Sequence, residues 1–265
     1  MALIECNFTS KVLELSTDLL AVLPEKSIGS MKKYPVLYLL HGLSDDHTGW
    51  QRRTLIENYV RDKEIVIIMP NVHRSFYTDM KNGYKYFEFV SEELPSIVKE
   101  FFPISDKRED TFVAGLSMGG FGAMKLALNY PDRYSKAASL SGALGMVKNM
   151  KEMEEYSSTN KDNSVSDNIT FRINEMKNIF GSYGEIKESC NDLFYLLDKN
   201  IAEGREIPNL YQSCGTEDSL YDDNIRFRDY VKSKGIHITY EECEGDHTWD
   251  FWNKMIEHVI EWLDV

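Results

Sequence analysis

Only four cysteines, Cys6, Cys190, Cys214 and Cys243, occur in the 265 residues, without C-x-x-C spacing or paired histidines. That excludes a disulfide framework and a zinc site of the usual spacing, so reduced thiols are expected. Long apolar stretches are missing too. The longest runs, Pro35 to Leu40 and Ile65 to Pro70, fall far short of the roughly 20 residues that span a bilayer. Positive charge is in deficit, with 30 Lys and Arg against 43 Asp and Glu and a net charge of −13. This is the wrong sign for a chain that gains affinity by neutralising phosphates. Neither nucleic acid nor a membrane is an expected partner. The opening residues, MALIECNFTSKVLEL, show no basic segment followed by an apolar one. A cytoplasmic location is therefore expected, and the Asn-x-Ser/Thr matches at Asn7 and Asn168 carry no weight.

What is present is a globular composition, 42% hydrophobic and 28% charged. At this length roughly 70 to 75% of the unfolded surface can be hidden, so one domain over 1–265 is expected, with homo-oligomerisation left open. Residues 7–22 alternate apolar and polar like an edge hairpin with one wet face. Residues 35–40 and 64–70 are continuous and apolar, as strands buried on both faces must be. From there strand and helix alternate. A helical pattern is read at Trp50 to Arg61 (Leu55, Ile56 and Tyr59 on one face), at Phe87 to Phe101, Gly120 to Tyr130 and Asp222 to Lys234, and in a final helix. Strand-like segments are Thr111 to Gly115, Ser135 to Leu140, Asn209 to Cys214 and Ile236 to Cys243. This order predicts an α/β fold, a mostly parallel sheet with helices on both faces. Residues 145–207 are far longer than a crossover needs. They open Met-rich (Met146, Met150, Met153), pass through the polar run SSTNKDNSVSDN and regain helical spacing at Phe171 to Phe180. An inserted lid is the preferred reading, with an elaborated crossover and disordered tip as the alternative. The polar run is no calcium loop, because Asp167 stands where the turn requires Gly.

The chemistry centres on GLSMGG. Gly115, Ser117 and Gly119 form G-x-S-x-G between an apolar strand and a helical pattern, the setting of a nucleophile elbow. A serine hydroxyl needs a base, and the base a third group to hold its tautomer. Downstream, His237 is read within a strand and His258 within the last helix, which leaves His247 in the loop EGDHTWDFW. In the loop GTEDSLYDDN, Asp218 is the preferred acid and Glu217 its competitor, while Asp222 and Asp223 suit the start of the following helix. The order serine, acid, histidine is that of an α/β-hydrolase. The oxyanion donors are expected to be the backbone N–H groups of Leu43, in VLYLLHGL, and Met118. His41 is read as a structural, hydrogen-bonded residue. Asp45, Asp46 and His47 are read as a polar loop and not as metal ligands. Trp50, Phe76, Tyr77 and Trp249 are expected near the site and would line an aromatic or short acyl pocket, part of them serving as core.

HGLSDDHTGW, GLSMGGFGAMKLAL, SLSGAL, CGTEDSLYDDN and EGDHTWDFW together resemble the α/β-hydrolase serine esterases of the esterase D group. That group includes tributyrin-type and feruloyl esterases, S-formylglutathione hydrolase and the mycolyltransferases. The resemblance runs from about Tyr34 to the C-terminus. It implies Ser117 as nucleophile, Asp218 as acid, His247 as base, and Leu43 with Met118 as oxyanion donors, with no cofactor and no metal. The segment HGLSDDHTGW looks closer to the tributyrin and feruloyl branches. Hydrolysis of a small-molecule ester is the expected function. A thioesterase of the S-formylglutathione type and a non-catalytic binding protein on the same fold are the alternatives, and a peptidase has no feature in its favour.

Overall fold

A computed structural model describes residues 1–25, 31–159 and 167–265. Eight strands form one sheet: β1 Ala2–Ser10, β2 Leu15–Leu23, β3 Val36–Leu40, β4 Val66–Pro70, β5 Thr111–Leu116, β6 Lys136–Leu140, β7 Asn209–Gly215 and β8 Ile238–Cys243. Their spatial order is β1-β2-β4-β3-β5-β6-β7-β8. β1 and β2 form the antiparallel hairpin read from the alternation, and β2 joins β4 antiparallel. The remaining strands pair in parallel. β3 and β4 are buried at every position, which is why their sequences run apolar without alternation.

The helices are α1 Gly49–Arg53, α2 Ile56–Tyr59, α3 Tyr86–Glu88, α4 Leu94–Phe101, α5 Met118–Asn129, α6 Met146–Thr159, α7 Asp167–Phe180, α8 Tyr183–Ile186, α9 Leu193–Ala202, α10 Tyr221–Ser233 and α11 Trp249–Trp262. A π-helical turn, Phe89–Glu93, joins α3 to α4. The core divides into two apolar layers, one on each sheet face. One takes in α4, α5 and α9; the other holds the apolar stripe of α11 together with Trp50 and Ile56. α5 lies against β5 and β6, and α11 against β6 and β7.

Two local readings need correction. The helical pattern over 50–61 breaks at Thr54 and Leu55 into two short helices, and Leu55 faces solvent. Thr54 closes the first by bonding back to the Trp50 carbonyl through both its N–H and its hydroxyl. His237 precedes β8 instead of lying in it. Within 145–207, α9 behaves as the ordinary crossover helix, packing on α5 and α10 with Leu193, Leu196 and Leu197 buried. Residues 160–166, where a disordered tip was considered, lie outside the described residues.

Candidate active site

Strand β5 ends at Leu116 and α5 begins at Met118, so Ser117 alone turns the chain. Its backbone lies at φ 53° and ψ −116°, a conformation L-residues rarely adopt and one that is held only when the surroundings enforce it. The enforcement is close packing. A side-chain carbon on Gly115 would press into the backbone of Gly119, and one on Gly119 into the Leu40 carbonyl, so strand and helix cross without room for either. The hydroxyl of Ser117 thereby stands at the carboxyl edge of the sheet, over the start of α5.

Two further loops meet it there. The loop after β7 carries Asp218 and the loop after β8 carries His247, and the backbone stitches them together. Thr216 N–H donates to the Cys243 carbonyl at 3.0 Å and Glu217 N–H to the Gly245 carbonyl at 3.0 Å. This pairing turns Glu217 outward and buries the Asp218 carboxylate completely. His247 Nδ1 lies 2.8 Å from Asp218 Oδ2 and 3.1 Å from Oδ1, and Nε2 lies 3.0 Å from Ser117 Oγ. The three side chains therefore form one hydrogen-bonded line. Burial alone would raise the Asp218 pKa. Hydrogen bonds from His247 and the Leu220 N–H, with Ser141 beside them, outweigh it and hold the carboxyl below the ordinary range. The Trp252 ring stands edge-on to His247, centroids 4.9 Å apart, and meets Trp249 edge-to-face in turn, at 5.4 Å. His237 and His258 are not in this line. The latter pairs with Glu241 at 2.6 Å.

The Gly42–Leu43 peptide runs beside the nucleophile, since a side-chain carbon on Gly42 would come within 3.8 Å of Ser117 Cβ. Leu43 N–H has no protein acceptor among the described residues, and Met118 N–H belongs to the first turn of α5, where no intrahelical partner exists. Both N–H groups are thus free to bind an oxygen.

Ser117 opens into a cavity of about 620 Å³. Phe76, Ala143, Met146, Met153, Met176 and Leu220 make it apolar, and Arg53, Arg172 and Asn149 supply its polar wall. Burial raises the carboxyl of Asp45, which also lines it, while Arg53 pulls it back. Of the four aromatics expected here, Phe76 and Trp249 line the cavity. Trp50 and Tyr77 do not. Trp50 is core, its Nε1–H donating to the Leu40 carbonyl at 2.9 Å, and Tyr77 is fully buried with its hydroxyl on the His41 carbonyl at 2.9 Å. Both spend their polar atom on backbone, which turns the ring inward. The sequence reading missed Trp252, Arg53 and Arg172. It noted the Met146, Met153 spacing without reading it as a wall. A larger cavity of about 890 Å³ lies next door between the His73–Ser75 loop and α7, sharing Leu43, Ser44 and Asp45 but not touching Ser117. Among the described residues no three His, Cys, Asp or Glu side chains converge as a metal site would. No helix there is long and apolar enough to cross a membrane.

A Ser117 elbow on a mostly parallel sheet, with the acid after β7 and the histidine after β8, defines the α/β-hydrolase fold. The Esterase family model matches residues 10–262. An acetyl esterase of Caldicellulosiruptor saccharolyticus is 34% identical over 272 residues, covering 99% of this chain and 98% of that one. Among solved structures, FphF, a fluorophosphonate-binding serine hydrolase of Staphylococcus aureus with substrate bound, shares 35% identity at a TM-score of 0.86, covering 99% of this chain and 98% of its own. An S-formylglutathione hydrolase (FrmB) of Staphylococcus aureus, as apoenzyme, shares 34% at 0.84 with the same coverage. The chain belongs to the Esterase family and is a carboxylic ester hydrolase.

Proposed function

We infer that the protein hydrolyses short-chain acyl or aryl esters of small molecules through an acyl-enzyme on Ser117. The observation that carries this is the hydrogen-bonded line Ser117–His247–Asp218 opening into an apolar cavity. His247 Nε2 takes the Ser117 proton as Oγ attacks the ester carbonyl, and the carbonyl oxygen becomes an oxyanion received by the N–H groups of Leu43 and Met118. Collapse breaks the ester bond, and the alcohol leaves with the proton from His247. Water then repeats the sequence on the acyl-enzyme, releasing the acid and restoring Ser117. Buried Asp218 holds Nδ1–H and balances the imidazolium. The chemistry needs no cofactor or metal.

The acyl group lies against Phe76, Met146, Met153 and Met176, with α6 to α8 serving as a lid over the site and α9 as the crossover proper. Neither nucleic acid nor a membrane is a partner in this reading, in keeping with the charge of −13. Four unpaired thiols suit a cytoplasmic setting, which cell fractionation checks. A second reading, hydrolysis of a glutathione thioester, is favoured by Arg53 and Arg172, whose guanidinium groups suit carboxylates on a leaving thiol. The test is release of nitrophenol from esters of rising chain length, beside methyl ferulate and S-formylglutathione. Ser117→Ala is expected to lower turnover by at least about 1000-fold. Wild-type turnover no greater than that of Ser117→Ala would leave a binding protein, and preference for the thioester would select the second reading.

A further inference from the structure

Granted the hydrolytic reading on which this rests, the Leu43 N–H must point at the reacting carbonyl, and a loop amide needs something to hold it there. The N–H belongs to the Gly42–Leu43 peptide. The carbonyl of that peptide lies 2.7 Å from Nδ1 of His41 and accepts Asp45 N–H at 3.3 Å. In a planar trans peptide the N–H and C=O point in opposite directions. A donor that pins the carbonyl therefore aims the N–H the other way.

The His41 ring is buried, and its second nitrogen, Nε2, faces Val72 N–H at 3.1 Å. A backbone N–H can only donate, so Nε2 is the acceptor and the single ring proton sits on Nδ1, from which it is donated to Gly42 O. Burial pushes the His41 pKa down to about 4, which keeps the ring neutral. Tyr77 braces the preceding peptide in the same manner, through its hydroxyl on the His41 carbonyl. The Tyr77 ring lies against α5 where a side chain on Gly122 would strike it, and its carbonyl accepts Lys125 Nζ at 2.7 Å. Phe76 and Tyr77 both stand at positive φ, 51° and 52°, a backbone cost offset by these buried contacts.

We propose that His41 is a positioning residue of the oxyanion hole: held by Val72 as the neutral Nδ1–H tautomer, it locks the Gly42–Leu43 peptide and aims the Leu43 N–H at the developing oxyanion, with Tyr77 bracing the peptide before it.

Nitrogen NMR of the intact enzyme labelled with 15N-histidine reads the tautomer directly. Protonation of His41 at Nδ1 alone at pH 7 supports the proposal; protonation at Nε2 or at both nitrogens overturns it. In kinetics, His41→Gln, which loses the Nδ1 donor, is expected to lower kcat by about 100-fold with KM changed less than about threefold. His41→Asn, whose amide nitrogen can take the place of Nδ1, is expected to recover about tenfold of that loss. A trifluoromethyl ketone, to whose carbonyl Ser117 Oγ adds while the proton passes to His247, should bind His41→Gln more weakly in step with kcat, while the product acid binds as before. Equal kcat in wild type and His41→Gln, or equal loss in His41→Gln and His41→Asn, overturns the proposal. The NMR measurement needs no variant, so it decides even if His41→Gln fails to fold. Ester turnover surviving in Ser117→Ala would instead sink the hydrolytic reading while leaving the His41 tautomer untouched.

Discussion

Ser117 and Lys125 lie on the same nine residues of turn and helix, and each is held in a state that an isolated residue would avoid. Ser117 takes a left-handed backbone because two glycines let a strand and a helix cross at its position. Lys125 is wholly buried, with Nζ donating to the Tyr77 carbonyl at 2.7 Å and Thr78 Oγ1 at 3.0 Å and lying over the Phe87 ring at 4.1 Å. Burial lowers its pKa to about 7, against about 10.4 for an unfolded lysine. Between those values the unfolded chain holds the proton and the folded chain does not. Stability therefore rises with pH across that window, and the penalty is constant below it. Replacing Lys125 by Met should consequently be most favourable, relative to wild type, near pH 7. The advantage should shrink as the pH approaches 10. Unfolding midpoints of both proteins at the two pH values check this, and a difference that does not change with pH would refute it. At Asp218 the slope has the same sign, because its folded pKa is lowered too, but the group contributes a gain instead of a penalty. Its lowered pKa adds stability above the unfolded value, and that contribution fades as the pH falls through the folded one.

Among the elements, α6 and α7 wall the cavity, α6 with Met146, Asn149 and Met153 and α7 with Arg172 and Met176. Met146, Met150 and Met153 recur along one face of α6, with Met150 in the core and its two neighbours on the cavity. Methionine is unbranched and pliable, so such a wall adapts to the chain against it. α6 is tied down by Lys148 on Asp223 at 3.1 Å, and α7 by Glu175 on Arg74, whose second contact is the Leu43 carbonyl at 3.4 Å. Met153 is only partly buried, so Met153→Ala should remove wall at little cost to stability. Activity on the octanoate ester relative to butyrate should then rise several-fold, as measured by kcat/KM on the nitrophenyl esters. An unchanged ratio would mean that the acyl chain lies elsewhere.

For the whole molecule, the charge of −13 sets a repulsive field around a cavity that itself carries Arg53 and Arg172. Repulsion acts at long range and is screened within about 10 Å at 0.1 M salt. An ester bearing a carboxylate should therefore gain kcat/KM as salt rises from about 0.01 to 0.1 M, while a neutral ester should not. Falling activity on the anionic ester would show that the two arginines dominate.

The alternation of strand and helix, the elbow at Ser117 and the chain order of serine, acid and histidine were all legible in the sequence. Hydrophobic period and turn chemistry are local properties, written in neighbouring residues. Three things were not local. Glu217 and Asp218 are adjacent and chemically alike, and only the stitching of the β7 and β8 loops decides that one faces solvent and the other His247. Trp50 and Tyr77 look like pocket residues until distant carbonyls, Leu40 and His41, claim their polar atoms and turn the rings inward. His41 acquires its tautomer from Val72, thirty-one residues away. The direction of a side chain depends on partners brought together by packing, and no spacing along the chain encodes it.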